Sequence, residues 1–229
     1  MKFSRGLAAL TLTLLFFTPL HAEFLYKDDV INNPKFTQSI ESVGRELKAK
    51  TGVSLYLVMV RDLENNESIS DFEKRIAHET NDSAVIMTFV ELQKQVDILA
   101  RPTSLYNSFN KAQVLSPNAT FIGAVVSSLM FARTFDEAKE FMGNRGGTVL
   151  PILAERTKGK ETVAKYSVAM YNGYSDVAEQ IAASKGKTLS SSAGNGSRDF
   201  IDLIRFIFYS IILYGLGLYL WKRFLKKRD

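Results

Sequence analysis

The sequence predicts an α/β domain with a small, mostly parallel sheet sandwiched by helices, followed by a C-terminal transmembrane helix. Residues 51–63 read TGVSLYLVMVRDL, a nearly continuous apolar run that is typical of a parallel strand buried on both faces. Helical and strand patterns then follow each other in the order helix, strand, helix, strand, strand, which indicates an α/β architecture. The run at 206–221 contains no charged residue and predicts a membrane span.

The first helix has signals at both of its ends. Asn33 is a favourable N-cap, and Pro34 follows at the first helical position. Gly52 tolerates the left-handed backbone that ends many helices. Between these signals, apolar residues recur at helical spacing: Phe36, Ile40, Val43 and Leu47. A strand over 53–60 follows.

The next segment, SISDFEKRIAHE, predicts a short amphipathic helix. Ser70 and Glu73 have the spacing of a capping box, so the helix is expected to begin at Ser70. The stretch SAVIMTFVELQKQVDILA then predicts two strands joined by a turn near residues 92–94.

The second half of the domain is more helical. Twelve mainly apolar residues begin at Phe121, too few to cross a membrane, and they predict a core helix. Thr134 and Glu137 repeat the capping-box spacing and predict a new helix start. Pro151 argues against a central strand at TVLPILAE, which favours helix or irregular structure there. The last helix is predicted over about 161–184, with one apolar stripe: Val163, Tyr166, Met170, Tyr174, Val177 and Ile181.

The two ends of the chain predict its location. A short basic start and an apolar run predict a signal peptide, residues 1–22, cleaved after Ala22. Residues 186–199 are rich in Ser and Gly and predict a flexible linker. Residues 200–222 then form the predicted transmembrane helix, and the basic tail 223–229 is expected in the cytoplasm. The chain is therefore predicted to be a single-pass inner membrane protein with a periplasmic domain, residues 23–185.

Charge and cysteine content exclude several classes of function. Residues 23–199 hold 21 basic and 22 acidic residues, so the basic excess of the whole chain belongs to its two ends. A nucleic-acid partner is therefore not expected. The chain has no cysteine, which excludes disulfides, a thiol nucleophile and thiolate metal sites.

Acidic residues beside the first predicted strand are the candidate metal ligands. Asp62 follows that strand at its carboxyl end, where open α/β sheets bind ligands, and Asp28 and Asp29 precede the first helix. Carboxylates that converge there would suit Ca²⁺ or Mg²⁺, and the alternative is a solvated acidic loop with no metal. No catalytic residue is predicted, because His78 is the only histidine beyond the signal peptide. Asn66 lies in ENNES, an acidic sequon for bacterial glycosylation.

The order of TGVSLYLVMVRDL, SISDFEKRIA, AVIMTFVELQKQVDILA and KYSVAMYNGYSDVAEQIA resembles the TPM domain family over roughly 25–185. The resemblance implies an α/β sandwich with a small, mostly parallel sheet. Some members of that family are associated with phosphatase activity or divalent metals, and others with the maintenance of membrane complexes. The predicted function is therefore a membrane-anchored periplasmic binding or maintenance module for a membrane protein complex. The alternative is a metal-dependent phosphatase.

Overall fold

A computed structural model describes residues 22–64, 67–80 and 83–192. Its centre is one four-stranded sheet in the order β1-β2-β3-β4. The strands are β1 (Leu25–Asp28), β2 (Ser54–Val60), β3 (Ala84–Val90) and β4 (Gln95–Arg101). β1, β2 and β3 are parallel, and β4 is antiparallel to β3. The predicted α/β class and the mostly parallel sheet are confirmed.

Seven α-helices and one 3-10 helix are found among the described residues. They are α1 (Pro34–Thr51), α2 (Ile69–Glu79), the 3-10 helix (Thr103–Ser108), α3 (Lys111–Val114), α4 (Phe121–Phe131), α5 (Phe135–Gly143), α6 (Leu150–Leu153) and α7 (Lys160–Ser184). No helix of this described part is both long and apolar enough to cross a membrane. The predicted span, 200–222, lies outside the described residues, as does almost all of the predicted signal peptide.

The sheet is covered on both faces. The Phe89 ring contacts the Tyr166 ring of α7 at a tilt of 56°, and Met87 contacts α7 at Gly173. Thr88, between these two residues of β3, faces Glu73 of α2. Because successive strand residues point to opposite faces, α7 and α2 lie on opposite sides of the sheet. Every residue of β2 and β3 is buried, as the continuous apolar runs predict.

Close packing around α1 and α7 depends on glycine. A Cβ at Gly44 would lie 2.4 Å from the Phe24 ring, and one at Gly173 would lie 2.3 Å from a Val149 methyl group. The hydroxyl of Tyr174, which is fully buried on α7, donates to the carbonyl of Leu55 at 2.7 Å. This bond satisfies the one polar atom of a large buried aromatic side chain.

Two helix starts differ in how well their caps were predicted. Asn33 accepts a hydrogen bond from the Lys35 N–H, as expected for the cap of α1. The predicted cap at Ser70 is wrong, because α2 begins after Ser68, whose hydroxyl accepts from the Asp71 N–H and donates to the Asp71 carboxylate. The true capping pair lies two residues earlier with the same spacing. Glu73 is left free of the cap and faces inward.

The apolar segment that begins at Phe121 forms a helix but not a core helix. Ala124 is buried, whereas the side chains of Leu129, Met130 and Phe131 are 65–82% exposed. α4 and α5 form a hairpin that packs mainly against itself. The start of α5 is capped as predicted, because Thr134 accepts from the Glu137 N–H. The expectation of burial is therefore wrong for this segment, while the expectation of helix is confirmed.

The chain after α7 turns back along α1. The Glu46 carboxylate of α1 accepts hydrogen bonds from the backbone N–H and the hydroxyl of both Ser190 and Ser191. Lys50 donates to the Thr188 carbonyl, and Tyr171 of α7 donates to the Ser191 carbonyl. Residues 187–192, which belong to the predicted linker 186–199, therefore lie with the folded domain, and 193–199 lie outside the described residues.

Candidate functional site

The carboxyl ends of the parallel strands form the edge where the sequence predicts a site. β1 ends at Asp28, β2 at Val60 and β3 at Val90, and the loops that follow them meet at this edge. Ligands of open α/β sheets bind outside these carboxyl ends. The three predicted metal ligands all lie at this edge, so their local contacts decide whether their carboxylates could bind a metal ion.

The Asp28 carboxylate is occupied by its own backbone. It accepts from the N–H groups of Val30, Ile31 and Asn32 at 2.7–3.0 Å, which fixes the turn between β1 and α1. Asn32 has a φ of 49°, a left-handed backbone that asparagine tolerates. Asp28 is therefore a turn-forming residue in this structure.

The other two candidate ligands are also partnered. Asp29 forms an ion pair with Lys27 at 3.1 Å. Asp62 accepts from the Leu63 N–H at 2.9 Å and from the Gln93 side chain at 3.3 Å. Within the described part of the chain, no group of three or more His, Cys, Asp or Glu side chains could hold a metal ion. The Ca²⁺ or Mg²⁺ site stays a prediction.

A small cleft opens at this edge, between β1, the loop after β2 and α2. Its volume is about 130 Å³. The lining residues that carry a ring or a charge are Tyr26, Lys27, Asp62, Glu64, Phe72 and Arg75. Asp62 is thus the one predicted ligand that lines the cleft, whereas Asp28 and Asp29 do not.

Tyr26 is the aromatic wall of the cleft. The residue is 40% exposed, and its ring meets the Tyr56 ring edge-on, with 6.5 Å between the ring centroids. Its hydroxyl donates to the Glu79 carboxylate of α2, and this bond raises the pKa of Tyr26 above its usual value of 10.0. The hydrogen bond therefore holds a partly exposed tyrosine ring at the surface.

Arg75 is the basic wall of the cleft. Its guanidinium donates to Glu67 at 3.0 Å and lies over the Phe72 ring, 5.1 Å from the centroid. The Glu67 carboxylate raises the pKa of Arg75 above its usual value. The contacts with Glu67 and Phe72 hold the guanidinium plane in one orientation beside the cleft.

Two other polar residues of α2, Asp71 and His78, have local contacts. Asp71 accepts from Ser68 and Lys74, which lowers its pKa. His78 lies 3.4 Å from the Arg101 guanidinium, with its ring Nδ1 nearest. Asn66, the predicted glycosylation acceptor, lies outside the described residues.

Sequence reasoning missed a buried acid beneath the same helix. Glu73 is fully buried between α2 and the sheet, and neither its carboxylate oxygens nor the Thr88 hydroxyl has a hydrogen-bond partner. Burial, with the Asp97 carboxylate as a second cause, raises the pKa of Glu73 to about 8. Asp97 is itself paired with Lys111 at 2.5 Å. Glu73 therefore holds a proton at neutral pH.

A signal for Glu73 is present in the sequence. The buried residues of α2 are Phe72, Glu73, Ile76 and Ala77, so Glu73 stands on the apolar stripe and not beside it. A charged residue at a stripe position is the pattern that predicts a buried acid. Tyr26 was missed for another reason. β1 has only four residues, and only Leu25 among them is buried, so the strand has no apolar pattern that the sequence could reveal.

Comparison with family models finds no match to this chain, and comparison with curated proteins finds no match either. The resemblance to the TPM domain family therefore stays a prediction.

Proposed function

We propose that this protein is a membrane-anchored, extracytoplasmic binding module for a membrane protein complex, and that the cleft beside Tyr26 and Arg75 receives a segment of the partner. The observation that carries the proposal is the cleft itself. A fixed, half-exposed tyrosine and a fixed arginine face one small opening at the carboxyl edge of the sheet.

The size of the cleft favours a protein segment over a cofactor. Small-molecule sites usually measure about 300–1,000 Å³. The volume here is about 130 Å³, enough for one or two side chains. A loop or an extended segment of a partner protein fits this opening, with most of its length outside the cleft.

The chemistry of the walls also favours a protein partner. Tyrosine and arginine are enriched among the residues that dominate protein–protein binding energies. The rim carries both signs of charge, with Lys27 and Arg75 opposed by Asp62 and Glu64. A rim of this kind selects a partner by complementary charges more than by apolar area.

The predicted membrane anchor limits where the partner is found. Seven residues, 193–199, separate the last described residue from the predicted span at 200. When fully extended they cover at most about 24 Å. The domain would therefore act within a short distance of the membrane surface, on complexes that project from it.

Photocrosslinking in native membranes tests this proposal. A photoreactive residue placed at Glu64, on the exposed rim, is expected to capture one discrete protein partner from membranes that contain the full chain. Arg75→Ala should reduce the yield roughly tenfold, the loss expected for a residue worth about 1.4 kcal/mol of binding free energy. The matched control is Lys74→Ala, which removes the same charge from the next position of α2 but does not line the cleft.

The control decides between specific and general effects. Lys74→Ala should leave the yield unchanged. Equal losses in both variants would mean that net charge, and not the cleft, determines the capture. Capture of no discrete protein would refute the binding role of this edge.

A further inference from the structure

A second surface of the protein is apolar and lies away from the cleft. On the α4–α5 hairpin, four large apolar side chains project within seven residues: Leu129, Met130, Phe131 and Phe135. They are 65–82% exposed and lie close together in the sequence, whereas the other strongly exposed apolar residue of the described part, Leu92 at 66%, stands alone in a turn. Contiguous exposed apolar residues of this kind mark sites that contact a protein or a membrane. We call these four residues the hairpin face.

The two ends of the hairpin are joined by hydrogen bonds between Asn118 and the pair Gly146 and Gly147, which we call the root. Both Gly146 and Gly147 donate their N–H to the Asn118 carbonyl, at 2.8 and 3.0 Å, which brings the two ends of the hairpin together. A Cβ at Gly147 would lie 1.8 Å from the Ser116 carbonyl oxygen, so this close approach requires glycine. Beyond the root, the Thr148 hydroxyl donates to Asp176 of α7 at 3.0 Å.

The root lies near the last described residues, Ser191 and Ser192, which we call the exit point. Tyr171 donates a hydrogen bond to the carbonyl of Ser191, and Asp176 accepts one from Thr148, just after the root. These two residues of α7 are five positions apart, which is about 7.5 Å along the helix axis and about 140° around it. The helix with its side chains is about 10 Å wide. The exit point and the root are therefore separated by roughly the width of one helix.

The predicted anchor brings the hairpin within reach of lipid. Seven residues, 193–199, separate the exit point from the expected start of the span at residue 200, and a linker of seven residues with the predicted Ser/Gly-rich character would have a mean reach of about 15 Å. A hairpin that extends from a root beside this exit can meet the bilayer without strain in the linker. This step rests on the membrane anchor of the proposed function, and it does not depend on the partner of the cleft.

The composition of the hairpin suits the surface of a bilayer. Phe131 and Phe135 flank Arg133, and aromatic and basic side chains are favoured where headgroups meet acyl chains. Residues 121–145 contain three basic and three acidic residues, so the hairpin has no net charge. Its contact with lipid would be driven by apolar burial and not by anionic headgroups.

We infer that the hairpin face inserts into the outer surface of the same membrane that holds the C-terminal helix, and so gives the domain a second contact with lipid. The domain is then held at two points, and its orientation on the membrane is restricted. The occupant of the hairpin face is lipid. A protein partner or a second copy of the chain is the competing outcome of the test.

Single-cysteine labelling provides the test, because the chain has no native cysteine. An environment-sensitive fluorophore is attached to the full chain at Leu129→Cys or at Phe135→Cys. The labelled protein is then reconstituted in vesicles of phosphatidylcholine. Quenching by lipids that carry a spin label on the acyl chain reports contact with the bilayer. The controls are Leu213→Cys, inside the predicted span, and Lys185→Cys, exposed after α7.

The expected result is quenching at residues 129, 135 and 213 and none at 185. Quenching at 129 and 135 should be unchanged when half of the lipid is phosphatidylglycerol, because the hairpin is neutral. Quenching at 213 alone would overturn the inference and leave the anchor standing. A blue shift at 129 and 135 without lipid quenching would mean that protein covers the face, which also overturns it. No quenching at any position would overturn both the inference and the anchor.

Discussion

Replacement of the buried acid Glu73 by glutamine is expected to change how stability depends on pH. The folded pKa of about 8 lies above the ordinary value of 4.5, so between these values the folded state holds a proton that the unfolded state releases. Stability is therefore complete below pH 4.5 and falls as pH rises towards 8, by about 1.4 kcal/mol per pH unit. At pH 7 the accumulated cost is roughly 3 kcal/mol.

Glu73→Gln removes this cost, because glutamine does not titrate and has nearly the same shape. The variant should be more stable than the wild type at pH 7, by up to about 3 kcal/mol, and the two should converge towards pH 4.5. Part of the gain is lost if the new amide stays unpaired, although the Thr88 hydroxyl and the Asp97 carboxylate are placed to accept from it.

Urea unfolding of residues 23–192 across this pH range measures the effect. Glu140→Gln, on the exposed surface of α5, is the matched control and should follow the wild type. Parallel stability curves for the wild type and Glu73→Gln would show that Glu73 does not carry a raised pKa. The reasoning from its burial would then be refuted.

Three further predictions concern the sheet, the carboxyl edge and the chain after α7. Leu57→Asp should leave residues 23–192 unfolded, because it places an unpaired carboxylate inside the buried sheet. Leu57→Ala should stay folded with a lower Tm. A folded aspartate variant would contradict the central position of β2. Asp28→Ala should lower the free energy of unfolding, measured by thermal denaturation, by about 2–3 kcal/mol, because three N–H groups lose their acceptor. Asp62→Ala should lower it by less than about 1 kcal/mol. Equal losses would mean that the turn does not depend on Asp28. Glu46→Ala should speed tryptic cleavage after Lys187, and an unchanged rate would show that the hydrogen bonds to Ser190 and Ser191 do not protect this segment.

The elements that the sequence predicts well are those with signals inside one short window. α1 has its cap, its apolar spacing and its terminal glycine within twenty residues, and β2 and β3 are continuous apolar runs. β1 has no such signal, because its pairing with β2 is made across the whole of α1. A four-residue strand is stabilised by its neighbours, and those neighbours are distant in the sequence.

The candidate site was predicted in position but not in composition. Asp62 lies at the carboxyl edge as expected, because strand direction determines where the loops meet. Tyr26 and Arg75 were not predicted, since their meeting depends on how α2 is placed over the sheet. The exposure of α4 could not be read from its apolar residues either. Composition indicates that such residues avoid water, but it does not say whether protein or lipid covers them.

The hydrogen bonds between Glu46 and the returning chain have a mechanical consequence. Any pull that comes from the C-terminal side reaches Ser191 and Ser190 before it reaches the end of α7. The load therefore passes into the middle of α1, which packs on the sheet, and not into the last turn of a helix, where unravelling begins most easily. Loss of the Glu46 carboxylate would leave this load to the hydrogen bonds from Lys50 to the Thr188 carbonyl and from Tyr171 to the Ser191 carbonyl.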